Sequence, residues 1–240
     1  MKAQERHHLK QNDFAASMAR AATGFREHRH QIVIGGLAVI LIGGAVSGYF
    51  LWRKHTDDQA SAMLGVAMAI YESPIAPPPT VPGASQAEGT YPTVAARQNA
   101  ALKAFQQVAS GYPSSRAGTG AAYHAAGALV SLGRFDEAEK TYQDVIARAG
   151  STIYGPMARM GLSDALSAAG QYDRAIKEYT DLSGQRDGLL PVDGVLMELA
   201  RTYLKAGKSS EARATFKRVV DEFPESAYVS EARQQLTVLN

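Results

Sequence analysis

Hydrophobic positions fall into two regimes along the chain. Residues 32–52 contain no charged side chain, whereas from about residue 93 onward apolar positions recur three and four residues apart, the spacing of amphipathic helices. The second regime also carries a longer echo. Ala101, Ala138, Ala175 and Ala212 stand 37 residues apart. Four residues after each comes an aromatic (Phe105, Tyr142, Tyr179, Phe216), and seven after comes an aliphatic (Val108, Val145, Leu182, Val219). Five before the last three comes a glycine: Gly133, Gly170, Gly207. A fixed period of this size marks an array of stacked supersecondary units. The pattern predicts helices at 93–110, 115–131, 134–149, 152–168, 171–183, 191–205, 208–222 and 225–238. The fold class is all-α: one N-terminal transmembrane helix, then an α-solenoid with a C-terminal capping helix.

The uncharged run is 21 residues long, which at about 1.5 Å per residue matches a hydrocarbon core about 30 Å thick. Tyr49 and Trp52 sit at its far end, where amphipathic rings favour the interface, followed by Arg53, Lys54 and His55. The run is too long for a cleavable signal and lacks small residues at its exit, so residues 32–52 are expected to anchor the protein in a membrane. Six Lys/Arg precede it in residues 1–31, against Arg53 and Lys54 just after it. This bias predicts a cytoplasmic N-terminus and an external C-terminal domain. Gly44 and Gly48 form a small-xxx-small pair: either a surface for another transmembrane helix or the ordinary glycine content of such spans. Phe14, Met18, Ala21 and Phe25 share one helical face in the basic segment 1–31, readable as an interfacial helix or as a solvated tail with incidental periodicity.

Residues 56–73 read as a helix continuing outward, with Ala60, Met63, Leu64, Ala67, Ile70 and Tyr71 as its apolar stripe. Six of the ten prolines then fall within residues 74–92, predicting an extended or irregular insertion, since proline fixes φ and removes a donor. The net charge of +2 conceals an asymmetry: residues 55–240 carry 17 basic and 20 acidic side chains. A nucleic-acid partner is therefore not expected. There are no cysteines, which excludes disulfides and thiolate metal sites. No HExxH, P-loop or dinucleotide fingerprint occurs, and Gly161-Leu162-Ser163-Asp164-Ala165 lacks the second glycine of a nucleophile elbow. No catalytic residue, metal site or cofactor is expected, and the protein is read as non-enzymatic.

The turn Gly133-Arg134-Phe135-Asp136-Glu137-Ala138 and its counterpart Gly170-Gln171-Tyr172-Asp173-Arg174-Ala175 resemble the tetratricopeptide repeat (TPR), a helix–turn–helix unit with such a glycine, alanine and aromatic. Gly207-Lys208-Ser209-Ser210-Glu211-Ala212 departs by placing Ser209 where an aromatic is usual; Pro113 and Pro224 supply the closing proline in two units, with Gly150 and Asp187 in its place in the others. The resemblance implies a solenoid whose groove is lined by the first helix of each unit. Its first unit would be split, with residues 56–73 and 93–110 as the helix pair and the proline-rich stretch between them.

Carried onto this sequence, the first groove position falls on Tyr123, Met160 and Met197, and the next, one turn on, on Gly127, Asp164 and Arg201, with Lys205 beyond. The Tyr-Met-Met row reads either as a soft protein-binding surface or as packing between neighbouring helices. In the capping helix, Tyr228, Ala232, Leu236 and Leu239 are expected inward and Glu231, Arg233 and Gln234 outward. The complete layout, over almost the entire chain, resembles the ancillary SecYEG translocon subunit family (YfgM-like). That resemblance implies a single-pass inner-membrane protein with a cytoplasmic segment 1–31, an anchor 32–52 and a periplasmic domain 53–240, whose partners are the translocon or a periplasmic chaperone. The alternative is a scaffold for cell-envelope, cell-wall or cell-division assembly. The Tyr112-Pro113-Ser114-Ser115 and Phe223-Pro224-Glu225-Ser226 turns are similar to those of the periplasmic TPR family of the division coordinator CpoB.

Overall fold

The computed structural model describes residues 29–78, 85–150, 152–185 and 188–239. The interfacial helix expected around Phe14–Phe25, the stop at Asp187 and the centre of the proline-rich stretch lie outside these residues. Nine helices occur among them: α1 (Arg29–Glu72), α2 (Val94–Gly111), α3 (Arg116–Ser131), α4 (Phe135–Ala149), α5 (Tyr154–Ala168), α6 (Tyr172–Ser183), α7 (Val192–Lys205), α8 (Ser209–Glu222) and α9 (Val229–Val238). The all-α expectation holds. The chain divides into two compact units, Met1–His55 and Thr56–Asn240.

In the first unit, α1 leaves its apolar side chains uncovered, with Val39, Leu41 and Leu51 each 70% exposed or more. The stretch Val33–Glu72 is long and apolar enough to cross a membrane. A side chain at Gly44 or Gly48 would meet nothing within 4 Å.

The second unit begins within α1. Ala60 and Ala67 are fully buried, and Leu64, Met68, Ile70 and Tyr71 pack against the core. Tyr71 lies 6.0 Å from the Phe105 ring of α2 and 6.4 Å from His124 of α3, so the outer part of α1 serves as the first inner helix. The proline-rich insertion has an ordered neck. The Tyr91 N–H donates to the Pro74 carbonyl (3.1 Å) and the Ala76 N–H to the Tyr91 carbonyl (2.9 Å). Gln86 Nε2 donates to the Ala76 carbonyl (2.9 Å), and Arg97 Nη1 donates to the Ser73 carbonyl (3.0 Å). The described arms of the expected extended or irregular insertion are thus hydrogen-bonded to one another and to α2.

Each later hairpin turns at its predicted glycine. Gly133, Gly170 and Gly207 have φ of 73°, 77° and 72°, a region that costs an L-residue about 1–2 kcal/mol. This conformation lets the N–H groups of Arg134, Gln171 and Lys208 return to the carbonyls of Leu129, Leu166 and Tyr203 at 2.8–2.9 Å, satisfying acceptors that a helix end leaves open. The periodic alanines Ala101, Ala138, Ala175 and Ala212 are all completely buried, which lets the two helices of each hairpin approach closely. The rings one turn on, Phe105, Tyr142, Tyr179 and Phe216, are at most 4% exposed. Successive units are also linked at the turn edge, by Arg174 to Glu139 (2.6 Å) and Lys208 to Asp173 (2.6 Å). Such exposed pairs contribute only about 0.2–1 kcal/mol each, so packing dominates.

Helix α9 has its expected orientation at Ala232, Leu236, Leu239, Arg233 and Gln234 but departs from it at Tyr228 and Glu231. Ala232 is fully buried, but Tyr228 is 37% exposed. Glu231 faces the array and grips Arg201 of α7 through Nη2 at 2.6 Å, and Ser226 donates to Asp193 Oδ2 at 2.6 Å. An acid expected in solvent is drawn inward by Arg201, which it shares with Glu198.

Candidate protein-binding groove

Helices α3, α5 and α7 form the inner side of the array. α3 packs on α5 and α5 on α7, while no comparable contact joins α4 to α6 or α6 to α8 among the described residues. A side chain on the inner helices faces the outer helices, the seam between inner neighbours or the concave surface. One seam bond is direct: the Ser167 and Thr202 hydroxyls, both buried, lie 3.2 Å apart across α5 and α7.

The aromatic of each outer helix reaches into a seam. Tyr142 of α4 passes between α3 and α5. A Cβ built on Gly161 would lie 2.6 Å from its ring, and one on Gly127 would lie 3.7 Å from its hydroxyl. Gly161 is thus the hole that admits the ring, a role invisible to the 37-residue pattern. Tyr154 fills a similar space against Gly120, whose Cβ would lie 2.5 Å from the Tyr154 hydroxyl. Tyr123 sits among these rings, 5.9 Å from Tyr142 and 6.2 Å from Tyr154. His124 stacks on Phe105 at 5.3 Å, a packing histidine whose pKa burial lowers.

The sequence-selected residues separate into distinct environments. Tyr123 and Met160 are half-buried at the groove. Met197 is 0% exposed and cannot serve as groove surface. Its periodic register matches Tyr123 and Met160, but α7 is the last inner helix and is covered by α8 and by the segment leading into α9. Asp193 and Gly194 are engaged there by Ser226 and Tyr228. Met197 therefore belongs to the packing alternative. Arg201 is held by Glu198 and Glu231, while Lys205 is exposed at the rim.

Asp164 keeps an exposed side chain, yet it stands low in a concave face with protein on most sides. Desolvation there raises its carboxyl pKa; the Tyr179 hydrogen bond and Lys205 oppose that rise, and Glu198 adds to it. Burial is also the main reason the Tyr142 and Tyr123 phenols are pushed up, with the Asp164 charge contributing to both. Tyr179 donates its hydroxyl to Asp164 Oδ1 and is raised by burial and by that carboxylate. All three phenols therefore stay neutral donors. Among the described residues no group of three or more His, Asp or Glu is placed to hold a metal ion. Clefts of about 610 Å3 beside Lys217 and Leu236 and about 450 Å3 between α2, α3 and α4 lie elsewhere.

These features define a helical-hairpin solenoid with a concave face of tyrosines, methionine and a carboxylate outside any ion pair among the described residues. A family model for the tetratricopeptide repeat-like domain matches residues 25–187, and one for the tetratricopeptide repeat matches residues 195–226; the chain belongs to the tetratricopeptide repeat-like family. Among solved structures, the nearly identical TPR-like repeats of a Podosopora anserina putative kinesin light chain are 18% identical to it. That match covers 60% of this chain and 77% of that one, with a TM-score of 0.52. A single-substitution variant of the same repeats is 15% identical, with coverage of 77% and 86% and a TM-score of 0.57. At these identities the likeness is one of fold. No curated protein matches the sequence. Repeats of this family are protein–protein interaction modules, generally scaffolds without catalysis, and protein partners follow for this chain in that general sense.

The two seam glycines should respond oppositely to a methyl group. Gly161→Ala forces a Cβ into the Tyr142 ring and should destabilise the array by about 1–3 kcal/mol. Gly127→Ala meets only the Tyr142 hydroxyl at ordinary contact and should leave stability unchanged or raise it by up to about 1 kcal/mol through helix propensity. Thermal unfolding of the full chain in detergent, followed by circular dichroism, measures both.

Proposed function

We propose that the protein is a membrane-anchored, non-enzymatic binding module whose concave face holds segments of other polypeptides outside the cytoplasm, beside the Sec translocon or a periplasmic chaperone. The observation that carries this reading is a single helix, α1, that begins as an uncovered apolar stretch and ends as the first inner helix of the array. Uncovered Val, Ile and Leu side chains over that length call for an apolar surrounding. The excess of Lys/Arg before the span favours a cytoplasmic N-terminus. The groove's Tyr123 and Met160 supply adaptable contacts suited to varied clients. The translocon and chaperone partners rest on the resemblance of the whole layout to the ancillary SecYEG subunit family. Gly44 and Gly48 are the candidate contact with a neighbouring transmembrane helix.

Purification of the full-length protein in mild detergent is expected to retrieve the translocon or a membrane chaperone together with many envelope proteins at low stoichiometry. Recovery of one division or cell-wall protein at fixed stoichiometry would instead support the scaffold reading. For topology, a reporter active only outside the cytoplasm should be active when fused after Asn240, and a reporter active only in the cytoplasm should be inactive there; the reverse pattern would overturn the orientation.

A further inference from the structure

The repeat contains its own internal comparison. In the third unit the hydroxyl of Tyr179 is satisfied by Asp164. The equivalent ring one unit earlier is Tyr142, and the position equivalent to Asp164, 37 residues earlier, is Gly127. The acceptor is thus deleted while the hydroxyl remains. Tyr142 is 4% exposed, and its hydroxyl has no hydrogen-bond partner among the described residues. The hydroxyl is not sealed from solvent, so it is reachable from the groove. There is also room in front of it: a Cβ on Gly127 would find nothing within 4 Å except that hydroxyl. The result is a notch in the groove floor with a phenol open to a partner at its base.

The charges around the notch select what can enter. Asp164 has no ion-pair partner among the described residues, and Tyr179 occupies only its Oδ1. Glu198 adds a second negative charge near it, while Arg201 is already held by Glu198 and Glu231. Lys205 offsets part of this charge from the rim, but an anionic group placed at the carboxylates themselves would be repelled. A cationic side chain would find a carboxylate oxygen, a phenolic oxygen and the aromatic and thioether surface of Tyr123 and Met160, a combination that suits an ammonium or guanidinium on an apolar stem.

We propose that the notch above Gly127 is a subsite for a lysine or arginine side chain of an extended polypeptide in the groove. Its N–H groups donate to Asp164 and to the Tyr142 hydroxyl, and its stem lies along Tyr123 and Met160. The subsite rests on the groove being the binding face and adds a chemical requirement on the occupant.

The test uses the full-length chain in detergent and two labelled nonapeptides of alanine, serine and leucine, blocked at both ends, with either one central lysine or one central norleucine. Fluorescence anisotropy should show the lysine peptide binding about tenfold or more tightly, from a charge-assisted hydrogen bond and ring contact. That preference should fall below about threefold in Asp164→Asn, which keeps an oxygen for Tyr179, and in Gly127→Leu, which fills the notch. The norleucine peptide should bind Asp164→Asn as it binds the unaltered protein. Equal affinity for the two peptides, or a preference that survives both substitutions, would overturn the subsite and leave the groove reading standing. Failure of both peptides to bind at millimolar concentration would overturn both.

Discussion

An aromatic ring set between consecutive inner helices is the contact on which the rest of the array depends. Phe105 lies against Tyr71 of α1 and His124 of α3; Tyr142 lies between Gly127 and Gly161; Tyr179 reaches Asp164 from α6. Each ring joins two units at once, so the spacing of the rings sets the step of the solenoid. The fully buried alanine one turn earlier lets the outer helix come close enough for the ring to reach. The left-handed glycine starts that helix at the right place. Burial of such a ring is worth several kcal/mol, against tenths for the exposed ion pairs at the turn edge.

The same contact makes the concave face chemically uneven. Where the ring is phenylalanine, as at Phe105 and Phe216, nothing polar is delivered to the inner surface. Where it is tyrosine, a hydroxyl arrives in the seam and the residue on the facing inner helix decides its fate. Asp164 satisfies Tyr179 and acquires an acidic, poorly solvated setting; Gly127 leaves Tyr142 open. At the end of the row Arg201 is taken up by Glu198 and Glu231, so α9 closes the array with charge pairing as well as apolar cover. The usable part of the groove thus lies toward the second and third units.

Much of this architecture was legible in the sequence because the repeat is written in residue types with one steric meaning each. The helix positions, the turn glycines and the role of residues 56–73 as an inner helix all follow from that code. Met197 stayed open between groove and packing because register alone assigns it the exposure of Tyr123 and Met160. It is 0% exposed, and Asp193 and Gly194 on the same helix meet a non-repeated segment at Ser226 and Tyr228 that no periodicity describes. Glu231 was placed outward for the same reason. Gly161 was weighed only as part of an incomplete nucleophile elbow, because a glycine inside a helix reads as a weak position; the Tyr142 ring beside it explains the absence of a side chain. The pairing of Tyr142 with Gly127 against Tyr179 with Asp164 was present in the sequence, and comparing the two columns of the repeat would have found it.

The central claim is that polypeptides bind on the inner face between α3 and α5. Site-specific photo-crosslinking in cells tests it most directly, with a photoreactive residue placed at Met160 in one strain and at Lys177, exposed on the outer helix α6, in another. The account predicts protein adducts from position 160 and few from position 177. Adducts from position 177 alone, or equally from both, would contradict it.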